Sequence, residues 1–326
     1  MRRALGVVVA TFWIAACASA PQEPPAGVVE APYRVTEAGL LAVRVLLNDE
    51  REAEFVIDTA STLTTLTRST ADALALEYSE ERMTSVYGFF ERDERPVTDL
   101  RSAAIGGFSR ENLRAVVLEN VARGRETRNL IGVDFFEGLA LEVLAEPQIL
   151  RIYPPELVGE ALGRRWTEIP LGPNPFGGPD RGLLFAEARL DRTAVPALID
   201  TGASFTALSW TAVDSWRIDR ILQRLEEDWR AQGAIGEFDP TARVRIDYFE
   251  IGKRYWRDVY AYIFELETLA VLGEPDAPIM VAGADLFLGT DFLIDFQNRR
   301  LYVRGSRIGP RIGDPAVTVG PPSRID

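Results

Sequence analysis

The sequence carries Asp-Thr followed by a small residue twice, each time at the end of an apolar run. Phe55-Val56-Ile57-Asp58-Thr59-Ala60-Ser61 comes first, and Ala197-Leu198-Ile199-Asp200-Thr201-Gly202-Ala203-Ser204 second. In both, a strand-like run delivers an Asp into a tight turn. Either motif alone is also an ordinary polar turn, because Asp and Thr favour turns. Repeated in matched surroundings, it requires two related folding units. If those units meet, two carboxylates at one point can share a proton and activate a water.

The repeat extends beyond the Asp turns. Leu40 to Leu47, the turn Asn48-Asp49-Glu50-Arg51 and Ala53 to Ile57 precede Asp58. Leu183 to Leu190, Asp191-Arg192-Thr193 and Val195 to Ile199 precede Asp200. Each set reads as a hairpin whose second strand ends in the Asp turn. A helical stretch is expected after each turn, over 67–76 in the first half and over about 209–232 in the second. In the longer one, Trp216, Ile221, Leu225 and Trp229 form an apolar stripe suited to core packing.

Candidate flap hairpins follow at Val86-Tyr87-Gly88-Phe89-Phe90 and Ala234-Ile235-Gly236-Glu237-Phe238. Next come turn-plus-strand units, with Ile105-Gly106-Gly107 before Leu113 to Leu118 and Ile251-Gly252-Lys253 before Val259 to Phe264. The repeats close on Leu130-Ile131-Gly132-Val133-Asp134 and Phe287-Leu288-Gly289-Thr290-Asp291, each followed by a further strand. Pro170 to Arg181 is dense in Pro and Gly and reads as a linker. The Gly/Pro-rich segment after Gly305 reads as a loosely ordered tail.

Composition narrows the chemistry. The chain of 326 residues has no His, which removes Ser-His-Asp and Cys-His catalysis and His-ligated metal sites. The single Cys, Cys17, lies in the N-terminal segment, so the folded body has no thiol chemistry and no internal disulfide. Carboxylates, hydroxyls and Arg remain. The net charge of −13 argues against a nucleic-acid partner, because phosphate contacts need a basic surface.

The N-terminus reads as an address. Arg2 and Arg3 precede a short apolar run, Ala4 to Ala16, too short for a comfortable membrane span. Ile14-Ala15-Ala16-Cys17 resembles a bacterial lipobox, in which the Cys is lipidated and becomes the first mature residue. The alternative is ordinary signal cleavage after Ala18-Ser19-Ala20, which would leave Pro21 directly after the cut. Ala18 after the Cys resembles sorting to the outer membrane of Gram-negative cells, on its periplasmic face. The expected organisation is a signal peptide over 1–17, a tether over 18–34, an N-terminal lobe over 35–155, a linker over 156–182, a C-terminal lobe over 183–305 and a tail over 306–326.

With two Asp-Thr-Ala/Gly turns and two later apolar-apolar-Gly segments in the same order, the chain resembles a retropepsin-like aspartic protease with two lobes fused as in pepsin-type enzymes. The resemblance covers roughly residues 35 to 305. It implies an all-β bilobal fold of two homologous β-barrel-like lobes with short helices. It implies an aspartic endopeptidase acting on a peptide or protein substrate, with Asp58 and Asp200 catalytic and no metal or cofactor. One chain supplies both Asp, so dimerisation is not required for the site. The competing reading is an inactive, peptide-binding pseudoprotease.

The resemblance also assigns supporting roles. Thr59 and Thr201 would reach across to backbone of the opposite lobe. Ala60 and Gly202 would present a backbone N–H to a carboxylate, with Ala60 standing where Gly is commonest. Ser61 can donate to Asp58 whereas Ala203 cannot donate to Asp200, which suggests a dyad working at milder pH than one with hydroxyl donors on both sides. Tyr87 and Gly88 are the candidate flap tip, with a surface hairpin as the alternative for Tyr87. Asp134 and Asp291 would support rather than catalyse.

Overall fold

The computed structural model describes residues 27–87, 92–122, 125–126, 128–163, 165–190, 193–216, 222–224, 231–232, 237–238, 242–264, 272–274, 276–305 and 308–313. Cys17, the signal segment, Gly88, Ile235 and Gly236 lie outside the described residues, as do Ile221, Leu225 and Trp229 of the apolar stripe.

The fold is bilobal and largely β, with two closed, mostly antiparallel β-barrel-like sheets and short helices. In the first lobe the hairpin Leu41–Leu47/Arg51–Ile57 forms as the alternation of its residues requires. Its turn places Asn48 and Asp49 at φ 53° and 60°, the left-handed pair that a tight hairpin needs. Asn48 Oδ1 then accepts from the backbone N–H of Arg101 and Ser102 (2.8 and 3.2 Å), tying the turn to the next sheet strand. Pairing of Leu46 and Leu47 with Ala104 and Ala103 closes the sheet on itself. Val45, Leu47, Phe55, Ile57 and Ile105 fill its interior, each wholly buried.

Two short strands thread behind the Asp turn. Asn129–Ile131 runs parallel to Arg51–Ile57, with Ile131 opposite Ile57, and Thr65–Thr67 pairs with its other side. The second lobe repeats the plan. Phe185–Leu190 pairs with Thr193–Ile199, Met280–Ala282 runs parallel to the latter with Ala282 opposite Ile199, and Ala207–Ser209 lies beyond. The lobes are joined by a further sheet to which both contribute. Trp166–Pro170, Arg300–Arg304 and Phe292–Asp295 continue into Ala140–Leu144, Ile149–Tyr153 and Val29–Val35.

Five expectations are corrected. The second-lobe partner of Leu130-Ile131-Gly132 is Val281-Ala282-Gly283, not Phe287-Leu288-Gly289. Strand register decides it, because Val281 faces Leu198 as Leu130 faces Val56. Asp285, not Asp291, therefore matches Asp134. Asp291 instead accepts from Ala145 N (2.9 Å) and Arg304 Nη1 (2.9 Å), bracing the sheet between the lobes.

Of the helix expected over 209–232, the described residues form a helix over Trp210–Trp216, and Leu222–Arg224 is instead a strand on Ala242–Ile251. The first-lobe helix spans Arg68–Ala73, with Thr67 capping it by accepting from Thr70 N (3.3 Å). The expected tether is strand from Val29, where alternating burial of Ala31 and Tyr33 fixes the register. In the expected tail, Ile308–Gly313 adds a parallel strand beside Arg254–Phe264.

Candidate active site

The two Asp turns meet between the lobes. Each is fixed first by its own backbone. Asp58 N donates to Ile131 O (3.0 Å) and Asp200 N to Ala282 O (3.0 Å), so both turns begin at the end of a parallel pairing. Ala60 N and Ser61 N both donate to Asp58 Oδ1 (2.9 Å each). Gly202 N and Ala203 N donate to Asp200 Oδ1 (2.8 and 3.0 Å). One oxygen of each carboxyl is thereby pinned. The two turns abut, since a Cβ at Gly202 would lie 2.3 Å from the Asp58 carboxyl carbon.

Four hydrogen bonds lock the turns together across the lobes. Thr59 Oγ1 donates to Ile199 O (2.7 Å) and accepts from Thr201 N (3.0 Å). Thr201 Oγ1 donates to Ile57 O (2.7 Å) and accepts from Thr59 N (3.2 Å). Both Thr are 1% exposed, so none of these groups has water as an alternative partner. Gly202 lies directly against the Asp58 carboxyl, and a methyl group at that position would overlap its carbon. Ala60 stands at the matching place in the first turn and packs beside the apolar cluster of Leu183, Leu198 and Val281.

Behind each turn lies a supporting loop. Val133 N donates to Ser61 O (2.9 Å) and Ala284 N to Ala203 O (2.7 Å). Thr64 donates to Asp134 through both its N and its Oγ1 (2.9 Å each). Thr206 Oγ1 donates to Asp285 Oδ1 (2.9 Å), and Trp256 Nε1 to Leu286 O (2.9 Å). Thr64, Thr206 and Asp285 were not singled out from the sequence. The signal was present, since Thr64 and Thr206 hold the same place after Asp58 and Asp200.

Ser61 departs from expectation. Its hydroxyl donates to Leu63 O (2.7 Å), because the turn carries Oγ back toward its own chain. Asp58 thus takes only backbone donors from its turn, as Asp200 does, and the expected asymmetry between the two is absent. The Tyr87 strand, Met83–Tyr87, pairs with Arg92–Ile105, with Tyr87 opposite Arg92. Val86 packs with Leu63, Val97, Val116 and Leu118, so this hairpin leans on the body near the first Asp turn.

The electrostatics favour retention of a proton. Burial raises the pKa of Asp58 above the usual carboxylate range, against the lowering effect of the two turn N–H donors. Asp200 is raised further, first by burial and then by the charge of Asp58. It is also the more enclosed of the two, at 1% exposure. Such a pair loses its protons in two steps that belong to both carboxyls together. Asp285 is pushed up to about 7 by burial, with its Thr206 bonds acting in the opposite sense. Asp134, better supplied with donors, is also raised by burial.

A family model described as aspartyl protease matches residues 43–135 and again 186–292 of the sequence. Among solved structures, the crystal structure of a retropepsin-like aspartic protease from Rickettsia conorii is similar. It is 16% identical, at a TM-score of 0.30, over 39% of this chain and 89% of that one. No match is found among curated proteins.

Proposed function

Because this chain belongs to the aspartyl protease family, we propose that it is an aspartic endopeptidase whose attacking water is activated between Asp58 and Asp200. The observation that supports this is that Asp turns from opposite lobes abut, with Gly202 against the Asp58 carboxyl, and that each Asp has its Oδ1 held by two backbone N–H groups. Backbone donors fix the carboxyl planes without a hydroxyl that could rotate away. The Thr59/Thr201 lock sets their separation.

With one proton shared, the ionised carboxyl removes a proton from water as it attacks the peptide carbon. The protonated one donates to the carbonyl oxygen. Collapse of the tetrahedral intermediate breaks the C–N bond: one carboxyl passes its proton to the leaving nitrogen while a hydroxyl of the intermediate returns its proton to the other carboxylate and becomes the carbonyl of the product acid. The dyad ends with the proton count it began with. No covalent intermediate is needed, which suits a chain without His. Tyr87 would face substrate from the flap side. Lipidation at Cys17 would hold the enzyme at the bacterial envelope, on the periplasmic face of the outer membrane, and a Cys17→Ser variant should move to the soluble fraction.

The test is a matched pair of peptides, one an ordinary amide and one with a statine-type hydroxyl at the same position. A site built for the tetrahedral intermediate binds the mimic more than about 100-fold tighter. Equal binding of the two would mean a peptide-binding protein that does not cut.

A further inference from the structure

We propose that Arg181 is a specificity residue that selects an acidic side chain in the bound substrate. The inference rests on the endopeptidase reading above. It starts from a difference between the two lobes. Ala42 pairs with Val56 as Phe185 pairs with Leu198, so the registers equate Gly39 with Gly182 and Ala38 with Arg181. Both glycines have positive φ, 78° and 83°, and both precede a buried Leu-Leu pair. The fold is therefore satisfied by Ala at this position in one lobe. The Arg in the other is not a folding requirement.

Its surroundings place it beside the first Asp turn. Gly182 packs on Val133, where a methyl would come within 3.3 Å of Val133 Cγ2, and Val133 holds Ser61 of the first Asp turn. On the other side, Asp180 is held by Arg299 Nη2 (2.6 Å) and by Gly182 N (3.2 Å). Arg181 thus projects from an anchored backbone. Its guanidinium lies over the Tyr87 ring, 5.6 Å from the centroid, joining the connector between the lobes to the flap strand.

Arg92 also stacks on that ring, at 5.5 Å, but its Nη2 is shared with Ser85 Oγ (3.1 Å) and Glu94 Oε1 (3.3 Å). Arg181 is exposed and, among the described residues, has the ring as its partner and no carboxylate within ion-pair distance. A fixed, exposed guanidinium is shaped for a planar carboxylate. In a chain of net charge −13 it is a local exception that would attract an acidic group.

The experiment uses a peptide cut by the unsubstituted protein, with Glu or Gln placed in turn at each of the positions flanking the scissile bond. Unsubstituted protein, Arg181→Gln and Arg181→Glu are compared, with Asp58→Asn as the inactive control. The expected result is one position where Glu lowers KM about fivefold relative to Gln, the scale of an exposed ion pair, with kcat little changed. Arg181→Gln should remove that ratio, and Arg181→Glu should invert it toward a Lys-containing peptide. A purely structural role for Arg181 would slow both peptides alike and leave the ratio intact, which overturns the proposal. Cleavage without any Glu preference in the unsubstituted protein also overturns it while leaving the endopeptidase reading standing. No cleavage of any peptide removes both.

Discussion

Each hydroxyl of the Thr59/Thr201 pair donates once and accepts once across the lobe boundary, in a place water does not reach. Thr59→Val leaves a buried carbonyl and a buried N–H unpaired, so it should lower unfolding free energy by about 2–4 kcal/mol in denaturant titrations, with Thr59→Ser close to the original. The proposed mechanism needs one proton shared by Asp58 and Asp200, and burial raises the pKa of both carboxyls. Activity should therefore persist at mild acidity and fall as pH rises through the upper step of the pair. An optimum near about pH 2 would contradict this. Asp285 acts on stability in a related way. The folded chain keeps its proton up to about 7, whereas the unfolded chain releases it near the usual carboxylate range. Its contribution is thus present at low pH and lost as pH rises through about 7. Asp285→Asn, neutral throughout, should raise Tm at about pH 8 relative to the unsubstituted protein and leave it nearly unchanged at about pH 4. The two Asp were legible because an apolar run ending in Asp-Thr-small is a local signature. The destination of the Ser61 hydroxyl was not, because it depends on which way the turn carries Oγ.

Elements long enough to alternate were legible, and the three-residue strand behind the second Asp turn was not. The hairpins leading to Asp58 and Asp200 carry their pattern in seven-residue strands such as Arg51–Ile57 and Thr193–Ile199. Met280–Ala282 has only three residues, all buried, and so shows no period. The nearby Phe287-Leu288-Gly289 is the better match as a string, but only pairing with the Asp200 strand identifies the true element. A pair of substitutions separates the two assignments. A methyl at Gly283 would overlap Phe205 O and press on Asp285 Oδ1 at 2.8 Å. At Gly289 a methyl meets open space, and the cost is the positive φ of 71° alone. Gly283→Ala should therefore abolish activity and lower Tm markedly, whereas Gly289→Ala should cost about 1 kcal/mol. The segment after Ser209 has a similar lesson. A helical stripe of Trp and Leu in sequence yielded in part to strand pairing at Leu222–Arg224, because tertiary contacts outweigh weak local propensity.

At the scale of the molecule, the lobes share a sheet as well as a site. Ala140–Leu144 pairs with Phe292–Asp295 across the boundary, so neither half keeps all its strand partners alone. Unfolding should be a single cooperative transition by fluorescence and circular dichroism together. A fragment ending at residue 163 should self-associate through the exposed edge of Ala140–Leu144. The duplication was legible in the sequence, and this joining sheet was not, because its strands carry no mark of which lobe they will pair with. The central claim is that the site at the lobe boundary cuts peptide bonds with Asp58 and Asp200 together. The most direct test is cleavage of a mixed peptide library, read by mass spectrometry from about pH 3 to about pH 8. Protein lacking residues 1–17 would be compared with Asp58→Asn and Asp200→Asn, each shown to be folded. Cuts made by the unsubstituted protein and lost in both variants are the predicted result. Cuts that survive either substitution, or a folded protein that makes none at any pH, would contradict the account.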